Sequence, residues 1–327
     1  MSRLDVTFPA MGGATRLVLA DRRPGDEPSP RLRAAAAEAR ALLGELEARW
    51  TRFDPDSDLS RLAADPRRAV PAHLHVRALV RAGAWAGRVS GGLVDMTLGD
   101  EVVRAGYAGH WVGETVPLAE ALAAAPPRAV AAPHPAGRWR ALGVDARAQT
   151  VHRPAGAALD SGGLGKGLAA DLVAERLQDL RYVVDVGGDL AVGHGGCGAH
   201  EIAVEDPLRP GATLHRLALG GGGVATSGIH RRLWLDGDGR PAHHLLDPAT
   251  GRPAWTGLLA VTAVGRTALE AEVTAKVALL RGPSGARATL AALGGVLVHD
   301  DGRAEVVPPL RRAAARAVDR RVRAAAA

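Results

Sequence analysis

Leu32, Ala36, Ala39, Leu42, Leu43 and Leu46 recur at the three- and four-residue steps that bring side chains onto one helix face. They predict a helix over residues 31–50. Asp54-Pro55 follows and forces a turn, because the residue before proline is pushed out of the helical region. A second helix is expected over about 72–89, and residues 90–107 read as a glycine-bounded turn leading into a short helix. Ahead of these, "VTFPAMGGATRLVLA" (6–20) reads as two strands around a glycine turn, and 21–30 as a loop. Past residue 158 strand and helix alternate. A helix over about 164–178 is followed by strands in "RYVVDVGGDLAV", "HEIAVEDP" and "HRLALGGGGVATSG". A strand over 258–265, a helix over 267–282 and a hairpin over 294–307 through Asp301-Gly302 close the pattern. Residues 113–158 are rich in proline and alanine and carry no readable period. One domain over 1–310 is expected, then a basic tail over 311–327. The stretch "LRRAAARAVDRRVRAAAA" holds six arginines and one acid and reads as a frayed helix or a disordered end.

Composition narrows the class. A chain of 327 residues can bury a full core, and 47% hydrophobic with 23% charged residues is ordinary for a soluble globular protein. Aromatics are only 3%, so the core must be mainly Ala, Leu and Val, and stacking on single-stranded nucleic acid is disfavoured. A net charge of +6 and a pI near 10.5 point to an anionic partner or to a solvated, arginine-rich surface. The single cysteine, Cys197, excludes an intrachain disulfide and a cysteine metal cluster, and reads as a bystander in a glycine-rich turn. No apolar run reaches the ~18 residues of a membrane helix. The N-terminus lacks the apolar core of a signal peptide. A cytoplasmic protein with no integral membrane segment and no nucleic-acid partner is expected.

The basic residues are unevenly chosen: of 41 lysines and arginines, only Lys166 and Lys276 are lysine. Lys166 stands in "DSGGLGKGLAAD", where Gly162, Gly163 and Gly165 precede a helix. Such a loop lets backbone N–H groups close on a phosphate at a helix N-terminus. A cation in the first helical turn is disfavoured by the helix dipole unless an anion balances it. With Asp160 ahead of the glycines, the stretch reads as a pyrophosphate or nucleotide cradle, or as a plain tight strand-to-helix turn. Lys276 lies four residues after Glu272, on the same helix face. That is an exposed ion pair worth ~0.3–0.5 kcal/mol, or a site that needs a compact ammonium where arginine would not serve. A third cluster spans 224–253. A Thr-Ser-Gly turn leads to a hairpin at Asp236-Gly237, then to His243 and His244 before "LLDPATG". Adjacent strand residues face opposite ways, so at most one histidine faces a given site. A histidine paired with Asp247 near the cradle could act as a base.

With these clusters in hand, the chain resembles the ApbE family, the FAD:protein FMN transferases, over about residues 6–300. The matching stretches are "FPAMGGATRLVL", "WTRFDPDSDLSRL", "GGLVDMTLGDEVVRAGY", "DSGGLGKGLAAD", "VDVGGDLAV", "ATSGIHRRLW", "HHLLDPATGRP" and "TALEAEVTAKVALL", in the family's order. The resemblance implies an α+β, ApbE/T-fold-like architecture with helices packed on mostly antiparallel sheets. It implies an Mg²⁺-using enzyme that cleaves the FAD pyrophosphate and releases AMP. The FMN half would pass to a Thr or Ser of an acceptor flavoprotein, in the family often a membrane redox subunit. By position, Met11 and Phe53 should meet the flavin, and Asp95, Met96 and Thr97 should line the FAD site. Asp160 and Ser227 should contact the cofactor, and Lys166 should reach its phosphates. His244, or else His243, should help deprotonate the acceptor hydroxyl. The Gly163 carbonyl and Glu272 should serve the metal.

The last motif departs from the family's E-A-D-x-x-x-T, reading Glu270-Ala271-Glu272 with Lys276 where the threonine stands. Glutamate can ligate Mg²⁺; a protonated lysine cannot. Either Lys276 supplies part of the metal's charge, or the metal is carried elsewhere by the substrate phosphates. The departure also keeps open an FAD-binding protein without turnover, or a slow FAD pyrophosphatase.

Overall fold

The computed structural model describes residues 1–22, 25–109, 116–194 and 198–310; the basic tail and Cys197 lie outside the described residues. The chain begins with a hairpin, β1 (Arg3–Ala10) and β2 (Gly13–Ala20), closed by Met11 and Gly12. Both turn residues are left-handed, at φ 57° and 70°. This turn matches the twist of paired strands. Glycine adopts it freely, whereas Met11 carries a strain of order 1 kcal/mol. The Gly12 N–H donates to Glu47 Oε1 (2.9 Å), tying the turn to helix α1 (Pro30–Trp50). That helix starts where expected: the Ser29 side chain accepts the Leu32 N–H, and Pro30 takes a first-turn position that needs no donor. Its buried face holds the predicted leucines and Ala39, with Ala36 half-buried.

The middle of the chain contributes α2 (Asp58–Ala64), β3 (Ala69–Pro71), α3 (Leu74–Ser90), α4 (Gly99–Arg104), α5 (Leu118–Ala124), β4 (Gly143–Asp145) and β5 (Thr150–His152). Then come α6 (Gly165–Arg176), β6 (Arg181–Val186), β7 (Asp189–His194), β8 (His200–Glu205), β9 (Thr213–Leu219) and β10 (Gly221–Gly228). Three short strands follow the last of these, β11 (Leu233–Leu235), β12 (Pro241–His243) and β13 (Leu246–Asp247), with β14 (Arg252–Pro253) after them. The chain finishes with β15 (Leu258–Gly265), α7 (Ala268–Leu280), α8 (Gly282–Leu290), β16 (Gly295–His299) and β17 (Ala304–Val307). The α+β expectation holds, and every described strand pairing is antiparallel.

One eight-stranded sheet, in the order β1-β2-β6-β7-β10-β15-β16-β17, carries the molecule. Strand alternation gives it two apolar faces. Val184, Val186 and Ala191 point into the core shared with α1 and α6. Val192 and Val224 point the other way and meet Ile202 and Leu219 of the β8–β9 hairpin. That hairpin therefore acts as a lid on the second face, a role its sequence did not announce. No described helix is long and apolar enough to cross a membrane.

Helices α6 and α7 lie side by side on the sheet and touch through backbone. The Asp171 carboxylate of α6 accepts the N–H groups of Ala268 (2.8 Å) and Leu269 (2.9 Å), the orphan donors at the start of α7. Burial pushes Asp171 up to about 6, and these N–H bonds pull against it. One turn earlier the Gly167 N–H donates to Glu272 Oε2 (2.8 Å). The two helices thus fix each other's position where their lysines stand.

Candidate active site

A cleft of about 740 Å³, open mouth included, lies between the loop after α3, the glycine loop before α6, the segment after β12, and α7. Its lining is largely apolar, with Leu93, Val94, Leu98 and Val102 from the first loop and helix α4, and Leu245, Leu246 and Leu280 from the others. Tyr107 adds an aromatic face. Five polar side chains interrupt this surface: Asp95, Asp160, Arg232, His244 and Lys276. A mostly apolar slot with a few convergent polar groups is the usual form of a small-molecule site.

Both lysines are paired with buried acids. Lys276 Nζ lies 2.9 Å from Glu272 Oε1, with Glu272 fully buried and the lysine side chain 12% exposed. The surface-pair reading of this i,i+4 couple is therefore set aside. Lys166 Nζ lies 2.6 Å from Asp189 Oδ2 and donates to the Gly187 carbonyl at 3.3 Å. Asp189 is on β7, one residue beyond the Gly187-Gly188 turn, facing the helices like Ala191. Burial alone would lower the Lys166 pKa, but the charges of Asp189 and Glu272 hold it above the ordinary value. Lys166 is a fixed cation at any physiological pH.

The histidine pair separates as strand alternation requires. His243, the last residue of β12, is fully buried, 4.8 Å edge-on from the Trp255 ring, and absent from the cleft lining. His244 lines the cleft, and its buried Nδ1 has no partner among the described residues. Burial, and then the charges of Arg232, His243, Lys276 and Lys166, hold His244 well below 6.5. It is a neutral imidazole with a free ring nitrogen. Asp247, which the sequence offered as one possible partner, instead closes its own turn, accepting from Ala249 N–H (3.1 Å) and Thr250 Oγ1 (3.2 Å), and also takes the Ala132 N–H (2.9 Å) from a segment distant in the chain.

These histidines set an acid limit on stability. Burial lowers His243 to about 3 and His230 to about 4, from 6.5. Each binds its proton more weakly folded than unfolded. Their contribution is complete above the unfolded value of 6.5 and drains away as pH falls toward those folded values, by about 1.4 kcal/mol per pH unit for each proton. Urea unfolding of the parent should show this slope, and His243→Gln should remove about one proton's worth of it. Equal slopes in the two proteins would mean that His243 is not held neutral.

The ApbE family model matches residues 11–298. The chain belongs to the ApbE family. A relative named FAD:protein FMN transferase from Haemophilus influenzae is 27% identical over 252 residues, covering 72% of this chain and 69% of that one. The one from Escherichia coli K12 is 34% identical over 135 residues, a match spanning 39% of this chain and 38% of the relative. The flavinyl transferase ApbE of Pseudomonas stutzeri superposes with a TM-score of 0.71 at 28% identity, covering 93% of each chain. The ApbE protein of Thermotoga maritima shares the fold, with a TM-score of 0.75 over 93% of this chain at 22% identity.

The ApbE-derived positions distribute in two layers. Asp95, Met96, Asp160, Gly163, His244 and Lys276 line the cleft. Asp95 Oδ1 accepts the Thr97 N–H (2.9 Å) and hydroxyl (2.7 Å), while its buried Oδ2 has no partner among the described residues. Thr97 is thus a support behind Asp95. Phe53 also stands behind the lining, edge-on to Tyr107 at 5.8 Å and under the Arg52 guanidinium at 4.3 Å. Tyr107, rather than Phe53, presents the aromatic face. Met11 sits in its hairpin turn, and Ser227 is buried in β10 opposite Val261; neither lines the cleft. Sequence reasoning missed Arg232, Arg52, which lies 3.3 Å from Asp160, and Asp189. All three stand inside the quoted family stretches, but each owes its role to a partner that spacing alone does not reveal.

The donor set does not fit a divalent ion at the expected place. Both Glu272 oxygens are engaged, by the Lys276 ammonium and the Gly167 N–H, and Lys276 is itself a cation. Among the described residues, one acid–histidine grouping converges, Glu45, His73 and His75, within 4.8 Å of one another. It belongs to α1 and the start of α3, apart from the cleft lining, and Arg49 donates to its glutamate at 3.1 Å.

Proposed function

We propose that this chain is an FAD:protein FMN transferase, acting on the diphosphate of FAD and on a Thr or Ser hydroxyl of an acceptor flavoprotein. The acceptor oxygen bonds to the FMN-side phosphorus, the bridging P–O bond to AMP breaks, and the hydroxyl proton passes to His244. The product is a phosphoester of FMN, and AMP leaves. The observation that carries this reading is that His244, whose buried Nδ1 has no partner among the described residues, lines the same cleft as Lys276 and Arg232, with Lys166 at the start of the adjoining α6; burial and these charges favour its neutral form. Positioning and charge neutralisation are what phosphoryl transfer chiefly requires, and these residues supply both. Asp160, held by Arg52, and the unpartnered Oδ2 of Asp95 are acceptors suited to the N–H and hydroxyl groups of a flavin nucleotide. The names of the relatives support the same chemistry.

The test is to mix the purified chain with FAD and a peptide carrying a threonine acceptor motif, then measure AMP, free FMN and peptide-bound flavin. Equal amounts of AMP and bound flavin are expected, and His244→Ala should slow both by about a hundredfold or more. AMP with free FMN alone would make the chain an FAD pyrophosphatase. No AMP would leave it an FAD-binding protein.

A further inference from the structure

Of the 41 basic residues, the only two lysines both stand at the α6–α7 contact, each on a buried carboxylate. Lys276 is the one that borders the cleft, beside Gly163, Asp160 and His244. An ammonium has three N–H donors. The described residues take one of them at Lys276, through Glu272 Oε1. The others are left for whatever anion enters the cleft. Glu272 is spent: it is fully buried, with one oxygen on Lys276 and the other on the Gly167 N–H. A divalent ion placed on this carboxylate would have to displace an ammonium already neutralising it, at 2.9 Å and in a poorly solvated place. Exchanging one cation for another in this way brings no gain in ligands, because lysine offers the ion none.

We infer that the Lys276 ammonium, seated on Glu272, stands where a protein-bound divalent cation would otherwise sit, so that the chain binds the diphosphate of its nucleotide with no metal ion of its own. The inference rests on the FAD reading of the cleft and specifies how the diphosphate is held. Lys276 meets the phosphates from α7, and Lys166 adds a second fixed positive charge from the start of α6. Arginine would not replace Lys276. Its wider planar head needs room for a fork of donors, whereas a compact ammonium fits between Glu272 and the cleft.

Two measurements test this. In the first, the chain alone is titrated with Mn²⁺, and free ion is followed by electron paramagnetic resonance. No stoichiometric binding at the cleft is expected up to millimolar ion; one tightly bound Mn²⁺ per chain that persists when His73 and His75, the histidines of the separate acid–histidine grouping, are replaced by Ala would overturn the inference. In the second, FAD affinity is measured by flavin fluorescence in EDTA and in Mg²⁺. Affinities within about threefold are expected, and a loss of tenfold or more in EDTA would overturn it. The double variant Lys276→Met/Glu272→Gln removes both charges together, so no lone carboxylate is left buried. It should fold and bind FAD at least tenfold more weakly; unchanged affinity would count against the inference. FAD bound in EDTA, with no AMP released in either EDTA or Mg²⁺, would defeat the transferase reading and leave this inference standing. AMP release that needs Mg²⁺ bound to the chain would do the reverse.

Discussion

Gly167→Ala is expected to destabilise the protein by about 2–3 kcal/mol and to weaken FAD binding at the same time, although it adds a single methyl group. A Cβ on Gly167 would lie 2.7 Å from the Ala268 carbonyl oxygen, 2.8 Å from its carbon and 2.9 Å from Glu272 Oε2. Two of these atoms are backbone at the start of α7, itself pinned by Asp171, so they cannot swing aside. The helices must part, and the Gly167 N–H bond to Glu272 is lost with them. Since α6 carries Lys166 and α7 carries Lys276, both ammonium groups move. Gly44→Ala provides the opposite case. Gly44 is exposed in the middle of α1, and an added Cβ meets nothing within 4 Å. Alanine there should stabilise by about 0.5–1 kcal/mol, because it narrows the unfolded ensemble and favours helix. Urea unfolding of both variants checks the pair. A neutral Gly167→Ala would mean that α6 and α7 are not in backbone contact.

Local period and local turn chemistry were the legible part of this fold. The stripe of leucines in α1, the hairpins at Met11-Gly12 and Asp301-Gly302, and α7 follow from spacing within a dozen residues. The lysines stood out for a different reason: in a chain that uses arginine nearly everywhere they are the two ammonium groups, and each sits on a buried carboxylate. What could not be read is whatever closes over distance. The β8–β9 hairpin reads as two ordinary strands until Val192 and Val224 are seen to need a cover. Asp189 is one acid among 35 until the β6–β7 turn delivers it to Lys166. Asp247 misled for the converse reason. Beside two histidines it suggested a catalytic pair, yet the Asp-Pro-Ala-Thr-Gly run that follows takes up both its oxygens locally.

Lys166→Met should cost stability and FAD affinity together, and the two losses can be separated. Asp189 is 1% exposed, and without Lys166 its carboxylate has no counter-charge in contact among the described residues. Breaking a buried ion pair from one side costs about 3–5 kcal/mol. The low end is expected here, because the Lys166 side chain keeps 27% of its surface in solvent. Burial already raises the Asp189 pKa, opposed chiefly by Lys166, and removing the lysine raises it further. A carboxyl whose folded pKa is raised loses stability as pH climbs through that value. The deficit of Lys166→Met relative to the parent should therefore be smaller at about pH 5 than at about pH 8. Adding Asp189→Leu removes the stranded charge, and the double variant should recover to within about 1 kcal/mol of the parent, since apolar replacement of a buried pair is often neutral. FAD affinity should not recover, because the second positive charge beside His244 is still missing. Urea unfolding at the two pH values, with FAD titration of parent, single and double variants, measures every term. If the double variant binds FAD as the parent does, Lys166 only braces the sheet, and Lys276 and Arg232 hold the diphosphate without it.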